Sequence, residues 1–403
     1  MNNSKTHRIL VILLLVVCQP STAQQPTQQS ILSDYWNKKY LLTAKIPAWS
    51  TLLKFTAAGV TLGLIYYLST RKRLVQPTTR QGLQEHLESS RNLGRDIAKH
   101  ILSFLGYALE LTLKGHTAPL TSAAFSPNGQ KIVTASTDNT ARIWNAVNGQ
   151  CTHILRHPIS GHINIVESAK FSPDNAIILT VIPQGKAGVW NAYNGHFIRK
   201  WQAGASEIKT AAFSPLGKKI VTANTNNTAR IWMFDNKNPL QAFWGHTAPL
   251  TSAAFSPNGQ QIVTASTDNT ARIWDVHTQI CTHILRGHSN TVTSAAFNPD
   301  GTKIVTASKD DTACIWNTDD GTLLQTLRGH TGSVNSAVFS PDGKTIVTAS
   351  NDDTARVWNA DDGKLLQTLQ SSTKSVISAA FSPNGKKIVT ANADNTARVW
   401  IRE

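Results

Sequence analysis

Four times along this 403-residue chain a His, a Ser, an Asp and a Trp recur at one unchanging spacing. The sets are His116, Ser136, Asp138 and Trp144; His246, Ser266, Asp268 and Trp274; His288, Ser308, Asp310 and Trp316; and His330, Ser350, Asp352 and Trp358. Ser, His and Asp are the residue types of nucleophilic acyl transfer, in which a base activates a hydroxyl and an acid orients the base. That chemistry needs one accessible Ser–His pair in one cleft, beside an oxyanion hole. A set repeated in four places does not fit it, and no G-x-S-x-G elbow occurs in the chain. Each set also carries a Trp whose indole N–H must find a partner when buried. The recurrence therefore reads as a hydrogen-bonded structural network, and no catalytic residue is expected. Cys18, Cys151, Cys281 and Cys314 form no CxxC pair and no mixed Cys/His spacing, so neither a metal nor a cofactor is expected. Three unpaired thiols in the folded body fit a reducing compartment.

What positions these sets is a repeat. The segment Gly115–Trp144 returns at Gly245–Trp274 with one change, Lys131 becoming Gln261. The closing tryptophans are Trp144, Trp190, Trp232, Trp274, Trp316, Trp358 and Trp400, at an interval of 46 once and 42 thereafter. A fixed period of that length marks an architecture in which no unit buries its apolar face without a neighbour. Each unit reads as four short strands: in the first, Leu120–Phe125, Lys131–Ser136, Thr140–Trp144 and a last strand reaching about Leu155. The turn Ser126-Pro127-Asn128-Gly129, repeated at 256–259 and 382–385, supplies the fixed and positive φ angles that a tight hairpin needs. The seventh unit stops at Glu403 without its fourth strand. Before the first unit, Leu109, Leu111 and Leu113 alternate with Glu110, Thr112 and Lys114, a strand with no sheet of its own. Pairing the two closes a ring and removes the open edges. The expected fold is all-β, a seven-bladed propeller over 109–403.

The recurring Gly-His, the Asp six residues before Trp and the Trp itself resemble the WD-repeat family. That resemblance implies a buried tetrad of His, Ser/Thr, Asp and Trp in each blade, carried here by the four sets above. Where His gives way to Gly204 and Ser372, the serine position also gives way, to Asn224 and Asn392, which supports the choice of serine. The second unit keeps His162 but has Ile182 and Gln184 where Ser and Asp would be. The family's closing Trp-Asp survives at Trp274-Asp275 alone. The resemblance also implies one rim that holds peptides and partner proteins. On it the richest chemistry falls on blades two and three, at Ile165, Glu167, Pro183, Glu207 and Lys209, with Lys309 further round; the four-residue insertion near 157–161 falls there too. The rest of the rim is small and polar, without the aromatic and Arg anchors of strong interfaces.

The formal net charge of +15 divides unequally. Residues 1–108 carry 13 Lys and Arg against 4 Asp and Glu. Without a basic stripe interleaved with aromatics in the repeats, nucleic acid is not an expected partner. The basic excess instead flanks apolar segments. Residues 1–23 read as a signal peptide, with Lys5 and Arg8 before the run Ile9–Val17. An extracytoplasmic segment, 24–45, leads to a transmembrane helix over 46–70, interrupted by Lys54. It ends at Arg71-Lys72-Arg73 within a basic joint, 71–79, which places the remainder on the cytoplasmic side. A helical linker over 80–105 carries Leu83, Leu87, Leu93, Ile97, Ile101 and Leu105. The expectation is a single-pass, membrane-anchored, non-enzymatic scaffold for protein–protein interaction. The alternatives are the same propeller in an extracytoplasmic envelope complex, or a propeller enzyme.

Overall fold

A computed structural model describes residues 106–157, 165–183, 186–202, 207–234, 239–370 and 374–402. The signal, extracytoplasmic, membrane-spanning, joint and linker segments expected over 1–105 lie outside these residues, as do His162, Gln184, Gly204 and Ser372. The first strand, β1 (Tyr107–Lys114), stands apart from the blade that follows it in sequence. That first blade runs outward from the axis as β2 (Leu120–Phe125), β3 (Lys131–Ser136), β4 (Thr140–Asn145) and β5 (Cys151–Arg156). Gly129 holds a φ of 71°, the conformation that brings β3 back against β2. In β3 five successive side chains are buried, as expected for a strand covered on both faces by neighbouring sheets.

Seven four-stranded antiparallel sheets make up the described residues, six of them in sequence order. The seventh joins Val376–Phe381, Lys387–Asn392 and Thr396–Arg402 to β1. The register shows why β1 fits. Leu109 lies opposite Trp400 and Leu111 opposite Val399, so Glu110 bulges out between them. In blade one the same slip separates Trp144–Cys151 from Ile143–His153. β1 thus reproduces the irregularity of a fourth strand as well as its pairing, and the chain is an all-β, seven-bladed propeller closed by its N-terminal strand. The bulged Glu110 meets Lys387 Nζ at 2.6 Å.

The core lies between blades. Trp144 of blade one packs with Leu113, Val389 and Val399 of blade seven, and Trp358 of blade six with Val305, Ile315 and Leu327 of blade five. Near the axis, Ser122 Oγ accepts the Ala169 N–H of the next blade at 3.1 Å. Equivalent serine clamps join blades four to five, five to six, six to seven and seven to one. Blade three carries Thr210 at the serine's place, with its hydroxyl oxygen buried and unpartnered. Among the described residues no such clamp joins blade two to three or three to four.

Candidate functional site

In blade four, His246 Nδ1 lies 2.7 Å from Asp268 Oδ2, and His246 Nε2 lies 2.8 Å from Thr264 Oγ1. The Trp274 indole N–H donates to that same Thr264 oxygen at 2.9 Å. A carboxylate only accepts, so Nδ1 carries the ring proton and the Thr264 hydroxyl donates to Nε2. Blades one, five and six repeat the chain through Thr134, Thr306 and Thr348. The carboxylate is saturated: Asp268 also accepts the N–H of Thr247 and both the N–H and hydroxyl of Thr270. Burial alone would raise its pKa, but the Thr270 hydroxyl and the His246 ring hold it at about 2. Burial keeps His116, His246 and His330 below the ordinary histidine value although each touches a carboxylate. These are neutral rings locked in one tautomer, with 1 % of each side chain exposed. Nothing in this arrangement offers a hydroxyl to a substrate.

The hydroxyl in the network belongs to threonine, and the serine two residues on does something else. Ser266 Oγ donates to the carbonyls of Ala248 and Pro249 and accepts the Asp268 N–H. Ser136, Ser308 and Ser350 make the corresponding bonds. The serine therefore ties down the loop that presents the histidine, which is why it lapses where the histidine does. The signal for threonine was present in the chain. A Thr stands at this place in all seven repeats, from Thr134 to Thr390, whereas the serine lapses in three.

Blade two departs from expectation in a second way. His157 fills the histidine's place, its Nε2 2.8 Å from Thr180 Oγ1, which also accepts the Trp190 N–H at 2.8 Å. The ring stands edge-on to Trp190 at 5.1 Å. Gly188 makes this possible: a Cβ there would lie 2.4 Å from His157 Cε1. Five of the other blades carry Arg at the equivalent position, among them Arg142 and Arg272, and blade five carries Cys314. Trp201, on the outer strand of blade two, stacks edge-on to Trp232 of blade three at 5.3 Å, and its own indole nitrogen is buried without a partner. Trp232 still donates to Thr222.

The structure brings three of the six rim residues together. Lys209 Nζ lies 3.5 Å from Glu167 Oε1 and 3.4 Å from Glu207 Oε1, spanning the seam between blades two and three. In four other blades the place holds a clamp: Thr121, Thr251, Thr293 and Asn335 each donate to the backbone carbonyl of the next blade, while blade seven has Ile377 there. Glu167 and Lys209 replace that clamp with half-exposed charges, and such pairs contribute only about 0–1 kcal/mol. Pro183 removes another contact. In every other blade an N–H crosses from the second rim loop to the first, as Thr225 N–H does to the Glu207 carbonyl; proline has none to give. Ile165 is half-buried beside this seam, while Lys309 is exposed on blade five and its N–H joins the Thr291 carbonyl.

The family model described as "WD domain, G-beta repeat" matches residues 108–145, 193–233, 237–275, 279–317, 321–359 and 363–400. The interval it passes over, 146–192, holds the relocated His157 and Gly188 of blade two. Among curated proteins, pre-mRNA-processing factor 19 of Bos taurus, Mus musculus and Homo sapiens is 44 % identical over 45 residues. That stretch is 11 % of this chain and 9 % of each relative. Six matched segments covering more than half the chain, together with the seven-bladed frame beneath them, settle the affiliation: this chain belongs to the WD-repeat family.

Proposed function

We propose that this protein is a non-enzymatic, membrane-anchored scaffold that gathers a protein partner on the rim over blades two and three. WD domains commonly bind proteins, and the cluster of Glu167, Lys209 and Glu207 is the observation that supports this sector. It gathers two carboxylates and an ammonium, all partly exposed, with Glu167 and Lys209 standing where four other blades have an interblade clamp. A partner with a basic side chain can displace Lys209 and take both carboxylates. Ile165 and Pro183 supply apolar flanks, and Lys309 lies outside this contact. The anchor in this reading is residues 46–70 following a signal over 1–23, and Arg71-Lys72-Arg73 orients the propeller toward the cytoplasm. The overlap with pre-mRNA-processing factor 19 carries over a repeat, not the role that its name describes.

The test is a double substitution, Glu167→Ala with Glu207→Ala, followed by capture of partners from native membranes. Specific proteins captured by the parent chain and lost by the variant, at unchanged melting temperature, support the reading. An identical captured set removes it. Thiol labelling of Cys151 and Cys281 in intact and opened cells reports the side on which the propeller lies.

A further inference from the structure

The opposite face holds a second feature, independent of the rim reading. There the inner hairpin turns of the blades surround the end of the axial channel. A cavity of about 420 Å³ opens on this face, walled by Phe213, Phe255, Phe297, Phe339, Phe381 and the turn prolines between them. In six blades the third turn residue is Asn or Asp, and its side chain caps the turn. Asn128 Oδ1, for example, accepts from Ser126 Oγ at 2.8 Å and from the Gln130 N–H at 3.1 Å. Blade three has Leu216 instead, 84 % exposed. It gives up both bonds and sets a large apolar side chain beside the cavity wall at Pro215, with no packing in return. A local rule broken without local compensation marks a site with another use.

Charge indicates what would cover it. Lys218 and Lys219 follow Leu216 after the single residue Gly217, and Lys386 and Lys387 stand on blade seven across the mouth. The turns of blades three, four and seven carry no acid, and among the described residues Lys218, Lys219 and Lys386 make no ion pair. We infer that this mouth is a docking site for an acidic peptide segment of a partner protein, which crosses the exposed Leu216 at the edge of the cavity and seats one large apolar side chain beside it, over Pro215, while its carboxylates meet the lysines. A cavity of this size suits one or two such side chains.

The probe is a short fluorescein-labelled peptide, all Asp and Glu save a single central Trp, titrated against the full-length chain by fluorescence anisotropy. Leu216→Asn restores the turn of the other blades, so its unfolding midpoint should match or exceed that of the parent. Its peptide affinity should fall at least about tenfold, the scale of one anchoring side chain. Lys218→Ala with Lys386→Ala should weaken binding and flatten its salt dependence. Glu167→Ala with Glu207→Ala should leave it unchanged, so the two faces fail or succeed separately. The inference is overturned if the parent does not bind, if Leu216→Asn binds within about twofold of it, or if a peptide with Ala for Trp binds equally well. Leu216-dependent capture by phosphatidylserine vesicles without peptide binding would also overturn it and assign the face to a lipid surface.

Discussion

Replacing Thr264 by Val is the sharpest probe of the network in blade four. The change keeps shape and volume and removes one oxygen. That oxygen accepts the Trp274 indole N–H at 2.9 Å and bonds His246 Nε2 at 2.8 Å. Thr264 is fully buried, and Trp274 and His246 are nearly so, so water cannot replace it. Two buried polar atoms lose their partner at about 1–3 kcal/mol each, giving a destabilisation of about 2–6 kcal/mol. Ser266→Ala should cost less, about 1–2 kcal/mol, because the atoms it releases lie nearer the rim. A double-mutant cycle with Trp274→Phe separates the roles. Thr264→Val should couple to it by about 1 kcal/mol or more, and Ser266→Ala by no more than a few tenths. Urea unfolding followed by tryptophan fluorescence supplies the free energies. A cycle in which Ser266 couples to Trp274 and Thr264 does not would refute the assignment of the hydroxyl.

Burial holds the His157 ring down to about 4, against about 6.5 in an unfolded chain. The unfolded state therefore takes its proton first as pH falls, so stability is full above about 6.5 and declines toward 4 by about 3 kcal/mol. Melting between pH 7.5 and 4 should show this fall, and His157→Gln should lessen it without abolishing it, because the buried rings of His116, His246 and His330 act in the same direction; a flat parent curve contradicts the buried neutral ring. Gly188→Ala should expel that ring, since the new Cβ would stand 2.4 Å from its Cε1, and limited proteolysis near residue 157 should quicken while cleavage elsewhere stays the same. Leu113→Ala empties a site that β1 shares with Trp144 and should cost about 2–5 kcal/mol in urea unfolding; a value near zero would mean that the strand does not close the ring. Hydrogen exchange should be fastest, among inner strands, at Ser168–Phe171 and Ile208–Phe213, which flank the unclamped seam.

How much was legible follows from what the chain repeats. The closing strand was readable because Leu109, Leu111 and Leu113 alternate with polar residues in front of a repeat array that lacks its last strand. The threonine of the network was equally readable, since it occurs in all seven repeats. A correlation between serine and histidine drew attention to the wrong hydroxyl; that correlation is real and arises because the serine fixes the histidine's loop. His157 was not legible. Alignment by the Gly-His dipeptide selects His162, and the four-residue insertion hides that the chain delivers an earlier histidine to the same hole. Gly188 would have been the clue, but a missing Cβ shows its purpose only when the ring that needs the space is visible. The Glu167–Lys209–Glu207 grouping was anticipated as rim chemistry, yet its relation to the interblade clamps depends on knowing which backbone carbonyl each threonine reaches.

Most of the departures fall on blades two and three; blade seven also lacks the histidine and serine, at Ser372 and Asn392, and has Ile377 at the place of the rim clamp. Blades two and three together lose the axial serine clamps, two of the rim clamps, one loop-to-loop bond and one capped turn. A closed ring can carry them in a single place because the blades on either side remain joined through the rest of the circuit, including the two-ended blade that β1 completes. The same sector presents charge on one face, at Glu167, Lys209 and Glu207, and an uncapped Leu216 on the other. Stability surrendered locally in exchange for exposed, chemically distinct side chains is what a binding sector of a repeat protein requires, so the seam around blade three is where partner contact should be sought on both faces.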